Sequence, residues 1–580
     1  MALGMLLPTV ANGVRALAWP LLALRRALVA PRGAWITVTL SGPVSEIERP
    51  FSALQHPRDL ILRGAPKPRT TLAALRALAA LVADDPRVGG VLVQIEPLEC
   101  GWAVAQGLRA WITSLRAAGR TVVAYLPQGS AQREYFVASA ATRVVAAPLS
   151  SVSPLGLAAG ITFVRGLLAR GGIDAEVFAR REFKSAAEAL TRDGYSEANR
   201  MQTEALLDRL QTLLLEALTE GRALSPERAR ALLDAGPFSA DDAVREGLLD
   251  AVAYEDQLPL HLDGPDTRRV SAAAYLRAMR ALRFRPMVPA KRVGVVELRG
   301  AIVSQARGGF GEAADARKVV AALRAARASP RIGAVVIHID SPGGSALASD
   351  QIAREVQRLR ERKPVVAYFA DVAASGGYYA AAPAQEIVAR PATLTGSIGV
   401  IAVRFQATRA LEKLDLRREV IRRGERADLM SPYRPLNEGD RAAIEREIDG
   451  VYDRFVDIVA RGRGRDAHDI EPLARGRVYA GADAHAVGLV DHLGGFELAM
   501  ERAQSLAGGR FHDEPVVIAP PRHTPDPPEA PGSSAALSSM MQHLAAQLGA
   551  RGRALDLLTV GLHCPHERLF ALADTLPDLG

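Results

Sequence analysis

VVAYFADVAASGGYYAAAPAQEIVARPATLTGSIGV, residues 365–400, is the stretch on which the reading of this chain turns. It opens with an apolar, β-branched run, Val365 to Phe369, that reads as a short buried strand. Ala-Ser-Gly-Gly then leads into Tyr378, Tyr379 and an alanine-rich segment that reads as helix, so Ser375 falls at a strand-to-helix turn. A hydroxyl in that place lies near free helix N–H groups, which favour developing negative charge. Glycines at 376 and 377 let the backbone come close to a substrate carbonyl.

The same pattern occurs earlier in the chain. Residues 122–157, VVAYLPQGSAQREYFVASAATRVVAAPLSSVSPLGL, align with it without a gap at an offset of 243. VVAY falls on VVAY, Tyr135 on Tyr378, Pro148 on Pro391 and Gly156 on Gly399. One fold is therefore expected twice. The copies differ where chemistry would sit: Gln132 stands in the place of Ser375, and Arg133 and Glu134 replace the two glycines. At the same offset Lys184, in EFKSAAEAL, falls on Ala427. One copy has the serine without the lysine, and the other the lysine without the serine.

Strands alternate with helices in both copies, which predicts α/β domains built from stacked βαβ units around parallel sheets. The first copy has predicted strands at 35–41 and 88–95 with a helix at 70–83 between them; the second has strands at 293–299 and 332–339 and a helix at 314–327. Each has a long amphipathic helix, with Leu206, Leu210, Leu213 and Ala217 as the apolar stripe in one and Ile444, Ile448, Val451, Phe455 and Ile458 in the other. Both copies close alike, on Gly247-Leu248 then Asp250 and on Gly488-Leu489 then Asp491. The expected organisation is an N-terminal apolar segment at 1–32, a first repeat at 33–254, a linker at 255–290, a second repeat at 291–508, and a Pro-rich linker with a short helical tail at 509–580.

At 580 residues the chain is too long for one ordinary core. Its net charge of +8 is scattered rather than gathered into a stripe, which argues against nucleic acid as a partner. The apolar residues 1–30 are interrupted by Pro8, Arg15 and Pro20, so an interfacial helix lying on a membrane surface is expected rather than a span. His563, Cys564 and His566 lack a fourth metal ligand; no metal and no cofactor is expected. Only six of the 72 basic residues are lysine, at 67, 184, 291, 318, 363 and 413. Arginine cannot give up its proton in a protein, whereas a desolvated lysine can.

A serine hydroxyl is a poor nucleophile until a base takes its proton. Ser375 is not in a G-x-S-x-G elbow, since Ala373 holds the first glycine position, and His485 and His492 lie in no recognisable triad context. Lysine serves instead when burial disfavours its ammonium form. Lys184 follows the apolar Val177 and Phe178 and precedes a helix, and Ser397, in Thr-Gly-Ser-Ile-Gly, is the candidate hydroxyl to orient its amine. Oxyanion donors are expected from the Gly343-Gly344 amides of DSPGGS and the N–H of Gly376; the first copy has EPLECG in the matching place.

DSPGGS, AASGGYYAA, TGSIGV and FKSAAE make residues 35–505 resemble the signal peptide peptidase A family in its long tandem form, also called protease IV, of S49-type serine peptidases. The resemblance implies a duplicated ClpP/crotonase-like fold and a Ser–Lys dyad, with Ser375 as nucleophile, Lys184 as general base and Ser397 positioning Lys184. It further implies apolar peptide substrates such as cleaved signal peptides and a homo-oligomer, a tetramer by the family's habit. The implied location is the cell inner membrane, with a soluble cytoplasmic form as the alternative. Two other readings of the residues are a non-catalytic scaffold of the same fold and a crotonase-like acyl-CoA enzyme. The second would account for the glycines but not for the paired serine and lysine.

Overall fold

The computed structural model describes residues 2–47, 70–282, 290–306, 313–512, 514–519, 570–572 and 578–579. They form two compact units, Met1–Leu157 with Leu210–Ala290, and Ala158–Arg209 with Lys291–Gly580. Residues 158–209, which the repeat assigns to the first copy, thus fold in the unit that holds Ser375.

In the first unit a parallel sheet runs in the order Ala251–Val252, Arg143–Ala146, Thr121–Leu126, Val88–Glu99, Ala34–Ser45, Arg269–Ser271. In the second, His492–Leu493, Glu386–Ala389, Val365–Ala374, Ile332–Ser341, Arg292–Arg299 and Val516–Val517 pair in that order, again parallel, and Val365–Ala374 also pairs with Leu394–Gly396, which carries Val478–Ala480 antiparallel at its edge. Val91, Leu92, Val93, Val122 and Val123 are fully buried, as are Val335, Val336, Val365 and Val366. Neighbours on opposite faces of one strand are both covered, which is why these runs are continuously apolar rather than alternating. Arg269–Ser271, in the expected linker, is ordered because the edge of Ala34–Ser45 offers it partners from Trp35 to Thr37.

Several helices begin where a side chain takes the first amides. Asp315 accepts from Arg317 N and Lys318 N at the start of Ala316–Ala328, and Thr71 accepts from Ala74 N at the start of Leu72–Asp84. In the long helix Glu197–Arg222 the buried stripe is Leu206, Leu210, Leu214 and Leu218, with Ala217 beside it. Leu213 is only partly buried: a period of 3.6 residues after Leu210 allows either 213 or 214, and the core takes the second.

Two further contacts repeat across the units. Tyr135 Oη donates to Leu248 O at 2.6 Å, and Tyr378 Oη to Leu489 O at 2.7 Å. Asp250 accepts from Val144 N at 2.7 Å, and Asp491 from Ile387 N at 2.7 Å. The repeated Tyr and the repeated Gly-Leu-x-Asp closure, far apart in sequence, thus meet in each unit.

The second unit carries a second sheet, ordered Ala313–Asp315, Ala301–Val303, Gly343–Ser345, Phe570–Leu572, Ile401–Gln406, Asp174–Ala179. The expected tail helices are not what the described part of 535–580 adopts: Phe570–Leu572 and Asp578–Leu579 are strands, because flanking edges supply their hydrogen bonds. The rest of that stretch, with His563, Cys564 and His566, lies outside the described residues. The N-terminal helix runs unbroken from Ala2 to Val29 through Pro20, where a break was expected. Among the described residues no helix is long and apolar enough to cross a membrane.

Candidate active site

Three segments of the second unit bring the sequence candidates together. The first is the strand Val365–Ala374, which delivers Ser375 to the start of the helix Gly376–Ala381. Ser375 has φ 53° and ψ −116°, a conformation unusual for any residue but glycine. It is held there by Ser375 N donating to Gly396 O at 2.8 Å and by Tyr379 N donating to Ser375 O at 2.8 Å. The sharp corner turns the side chain away from the sheet ladder.

The second segment is Thr-Gly-Ser at 395–397. Ser397 also has a positive φ, 51°, and its N–H donates to Arg477 O at 2.7 Å. The third is the chain that follows the strand Asp174–Ala179. That strand pairs antiparallel with Ile401–Gln406 from Ala179 opposite Ile401 to Asp174 opposite Gln406. Across the ladder Arg404, itself buried, forms an ion pair with Glu176. Arg180 N then donates to Val400 O at 3.0 Å and Phe183 N to Arg475 O at 3.2 Å, which brings Lys184 over residues 397–399.

Lys184 is 4% exposed and Ser375 fully buried. Lys184 Nζ lies 2.8 Å from Ser375 Oγ, 3.0 Å from Ser397 Oγ and 3.0 Å from Ser397 O. The serine and the lysine that the duplication singled out meet within one chain. Two hydroxyls and a carbonyl thus surround one amine, which is within proton-transfer distance of Ser375 Oγ.

Residues not singled out in the sequence make this approach feasible. Gly476, at φ 81°, sits so close that a Cβ there would meet Lys184 Cα at 2.7 Å. Gln202 donates to Ser185 Oγ at 2.8 Å and accepts from Val478 N at 3.2 Å, tying the lysine's segment to the strand Val478–Ala480. No motif marks Gln202. Its position on the buried stripe of a long helix, where a glutamine needs partners, was the available signal.

The glycine pair expected to supply oxyanion donors lies in a strand, Gly343–Ser345. Gly344 lies beside Ile302, where a Cβ would meet Ile302 O at 2.1 Å, so no other residue fits. Gly343 N donates to Ser341 Oγ at 3.2 Å, which gives that amide a resident acceptor. Gly376 opens its helix, where the first amides lack intrahelical acceptors. Of the three amides expected as oxyanion donors, that of Gly343 therefore already has an acceptor, that of Gly344 lies in a strand paired on both sides, and that of Gly376 stands at a helix start.

A family model described as "Peptidase family S49" matches residues 114–264 and 357–510, one region in each copy. "Serine protease SPPA, chloroplastic" of Arabidopsis thaliana is 31% identical over 486 residues, covering 82% of this chain and 69% of that protein. "Protease 4" of Salmonella typhi is 30% identical over 430 residues, covering 70% of this chain and 68% of that protein. "Putative signal peptide peptidase SppA" of Enterococcus faecium is 38% identical over 168 residues, 29% of this chain and 49% of that protein.

Proposed function

The chain belongs to peptidase family S49 and is a serine-type peptidase, and we propose that it cuts apolar peptides, cleaved signal peptides among them, with Ser375 as nucleophile and Lys184 as general base. The observation that carries this reading is the 2.8 Å approach of Lys184 Nζ to Ser375 Oγ, both buried, with Ser397 Oγ 3.0 Å from the same amine. Burial favours the neutral amine that a base needs.

The proposed steps conserve atoms and charge. Neutral Lys184 takes the proton of Ser375 Oγ as Oγ bonds to the scissile carbonyl carbon. The carbonyl π pair moves onto oxygen, toward the amides of Gly344 and Gly376. Collapse breaks the C–N bond, and the Lys184 ammonium gives its proton to the leaving amine. Water then attacks the acyl ester, Lys184 takes its proton, and that proton returns to Ser375 Oγ as the ester bond breaks. Ser397 keeps the amine aimed at Oγ throughout.

A membrane surface is the proposed setting. The N-terminal helix docks one side through Arg26, 2.9 Å from Asp85, and leaves Leu17 and Leu21 exposed at 86% and 71%, beside exposed Trp19, Leu24 and Leu28. Such an apolar face with arginines at its margin suits the headgroup boundary. Assembly into a homo-oligomer, a tetramer, belongs to the same proposal.

The test is cleavage of a fluorogenic apolar peptide by purified Ser375→Ala and Lys184→Ala. Each should lose about 10⁴-fold or more in kcat with circular dichroism and Tm unchanged. Retained activity in either folded variant refutes the dyad. An acyl-CoA thioester offered in parallel should stay intact, which separates peptidase from crotonase-like chemistry.

A further inference from the structure

A cavity of about 320 Å³ opens between the helices Ala346–Arg360 and Glu438–Arg463 of the Ser375 unit. Arg354, Arg360, Arg454 and Arg461 line it, with Asp350 as the one carboxylate among the lining residues. Arg454 holds Asp350 through Nε at 2.8 Å and Nη2 at 3.0 Å, and Arg360 Nη1 donates to Pro383 O at 3.1 Å. Arg354 Nη1 donates to Gln357 Oε1, a neutral acceptor, at 2.8 Å. Four guanidinium groups against one carboxylate leave the walls strongly positive.

In a chain this rich in arginine such a cluster could be no more than a solvated face, and the first unit supplies the control. Arg116 is the counterpart of Arg360: its Nη1 donates to Ala140 O at 2.9 Å. Gly221 is the counterpart of Gly462, since a Cβ on either would run into a backbone carbonyl, of Ser139 in one unit and of Ala382 in the other. Counted from these anchors, Arg354 corresponds to Ala110, Arg454 to Leu213 and Arg461 to Glu220. Asp350 corresponds to Gln106, and Tyr379, whose Oη donates to Asp350 Oδ1 at 2.7 Å, to Phe136.

The first unit also bridges the matching helices with a side chain. Arg109 donates to Ser139 Oγ at 2.8 Å, Phe136 O at 3.1 Å and Ala217 O at 3.2 Å. Its counterpart in the second unit is the buried Ala353, too short to reach across. Of the four arginines the shared fold therefore needs Arg360. The other three, and the space they face, are features of the second unit.

We infer that this cavity binds a phosphate-bearing anion. Guanidinium forks match phosphate oxygens two at a time, and the cavity has the size of a small-molecule site. Arg354 and Arg461 are its main ligands, because Arg454 already faces Asp350 and Arg360 already holds its carbonyl. The phosphate comes either from a compound free in solution or from the headgroup of an anionic lipid. The inference concerns binding and stands apart from the peptidase reading.

The experiment uses the full chain and radiolabelled pyrophosphate in equilibrium dialysis at about 0.15 M salt, where scattered surface charge is screened. Arg354→Ala with Arg461→Glu gives the cavity the residues of the first unit. Arg417→Ala with Arg423→Glu, at exposed positions outside the cavity, makes the same change of charge and is the control. The unmodified chain and the control should bind one pyrophosphate per chain saturably. The cavity pair should bind it about 10-fold or more weakly, with Tm unchanged, since both side chains are exposed.

A second arm sediments the same proteins with phosphatidylglycerol vesicles, against phosphatidylcholine vesicles. Binding to phosphatidylglycerol that the cavity pair weakens and pyrophosphate competes away supports the inference and assigns the lipid headgroup. Vesicle binding indifferent to the cavity pair, with the dialysis result as expected, supports it and assigns a soluble compound. No saturable pyrophosphate binding by the unmodified chain overturns the inference. Equal weakening in the control pair also overturns it, because general surface charge would then account for the binding.

Discussion

The two units share a sheet order, a buried tyrosine and a closing aspartate, and they part at one corner. In the second unit the corner after the central strand carries Ser375, followed by glycines, facing the strand Gly343–Ser345. In the first the same corner carries Gln132, Arg133 and Glu134. Glu134 is 8% exposed and accepts from Leu98 N at 2.8 Å, and Arg133 donates to the Cys100 carbonyl. Charged side chains there take up the backbone groups of the stretch that matches the glycine strand. Tertiary structure and chemistry have thus separated: the packing that holds the corner is kept in both units, and the serine followed by glycines is kept in one.

The sharpest way to break this comparison is to give the first unit its missing hydroxyl. In a Ser375→Ala background, Gln132→Ser should restore nothing, leaving the loss at about 10⁴-fold or more. Lys184 folds with the second unit, and in the first Glu134 holds the Leu98 amide. Measurable peptide cleavage by the double variant, abolished by a third change at Lys184, would falsify the view that the first corner is closed to chemistry.

Much of this was legible in the sequence because it rests on local pattern. The gapless repeat marked the duplication, the valine runs marked central strands, and the offset singled out Gln132 against Ser375. The serine–lysine meeting was suggested by the asymmetry of the copies. That residues 158–209 fold with the second unit was not legible, since it depends on strand Asp174–Ala179 pairing with Ile401–Gln406, more than 200 residues away. Nor was the role of Gly476, whose lack of a side chain matters only through Lys184, or the strand at Phe570–Leu572. Three residues carry no periodicity, and their conformation comes from the edges on either side.

A finer comparison uses the tyrosine that both units keep. Burial pushes both phenols up, so each remains a donor to its leucine carbonyl at neutral pH. Tyr135→Phe and Tyr378→Phe should each leave a buried carbonyl without its partner and cost about 1–2 kcal/mol in chemical denaturation. Their effects on activity should differ. Tyr378 lies in the helix that starts at Ser375, so its loss should also lower kcat by roughly 3–10-fold, while Tyr135→Phe leaves kcat unchanged. Equal kcat losses would mean that the tyrosines act only through global stability.

The smallest effect concerns the closing aspartate of the first unit. Burial alone would push the Asp250 carboxyl up, but hydrogen bonds from the Arg222 guanidinium at 2.8 Å and from Val144 N at 2.7 Å outweigh it and hold it below the usual carboxylate range. A depressed carboxyl stabilises the fold fully above its unfolded value of about 3.9 and loses that contribution as pH falls through its folded value. Asp250→Asn should therefore lower Tm by about 1–2 °C at pH 7, since the pair is partly exposed, and the gap from the unmodified protein should narrow below about pH 4. The same bonding recurs where Arg463 and Ile387 N meet Asp491, so Asp491→Asn provides the internal control for the bond pattern itself. A constant Tm gap for Asp250→Asn from pH 7 down to pH 3 would mean that the carboxylate's charge contributes nothing there and that only its shape is kept between the copies.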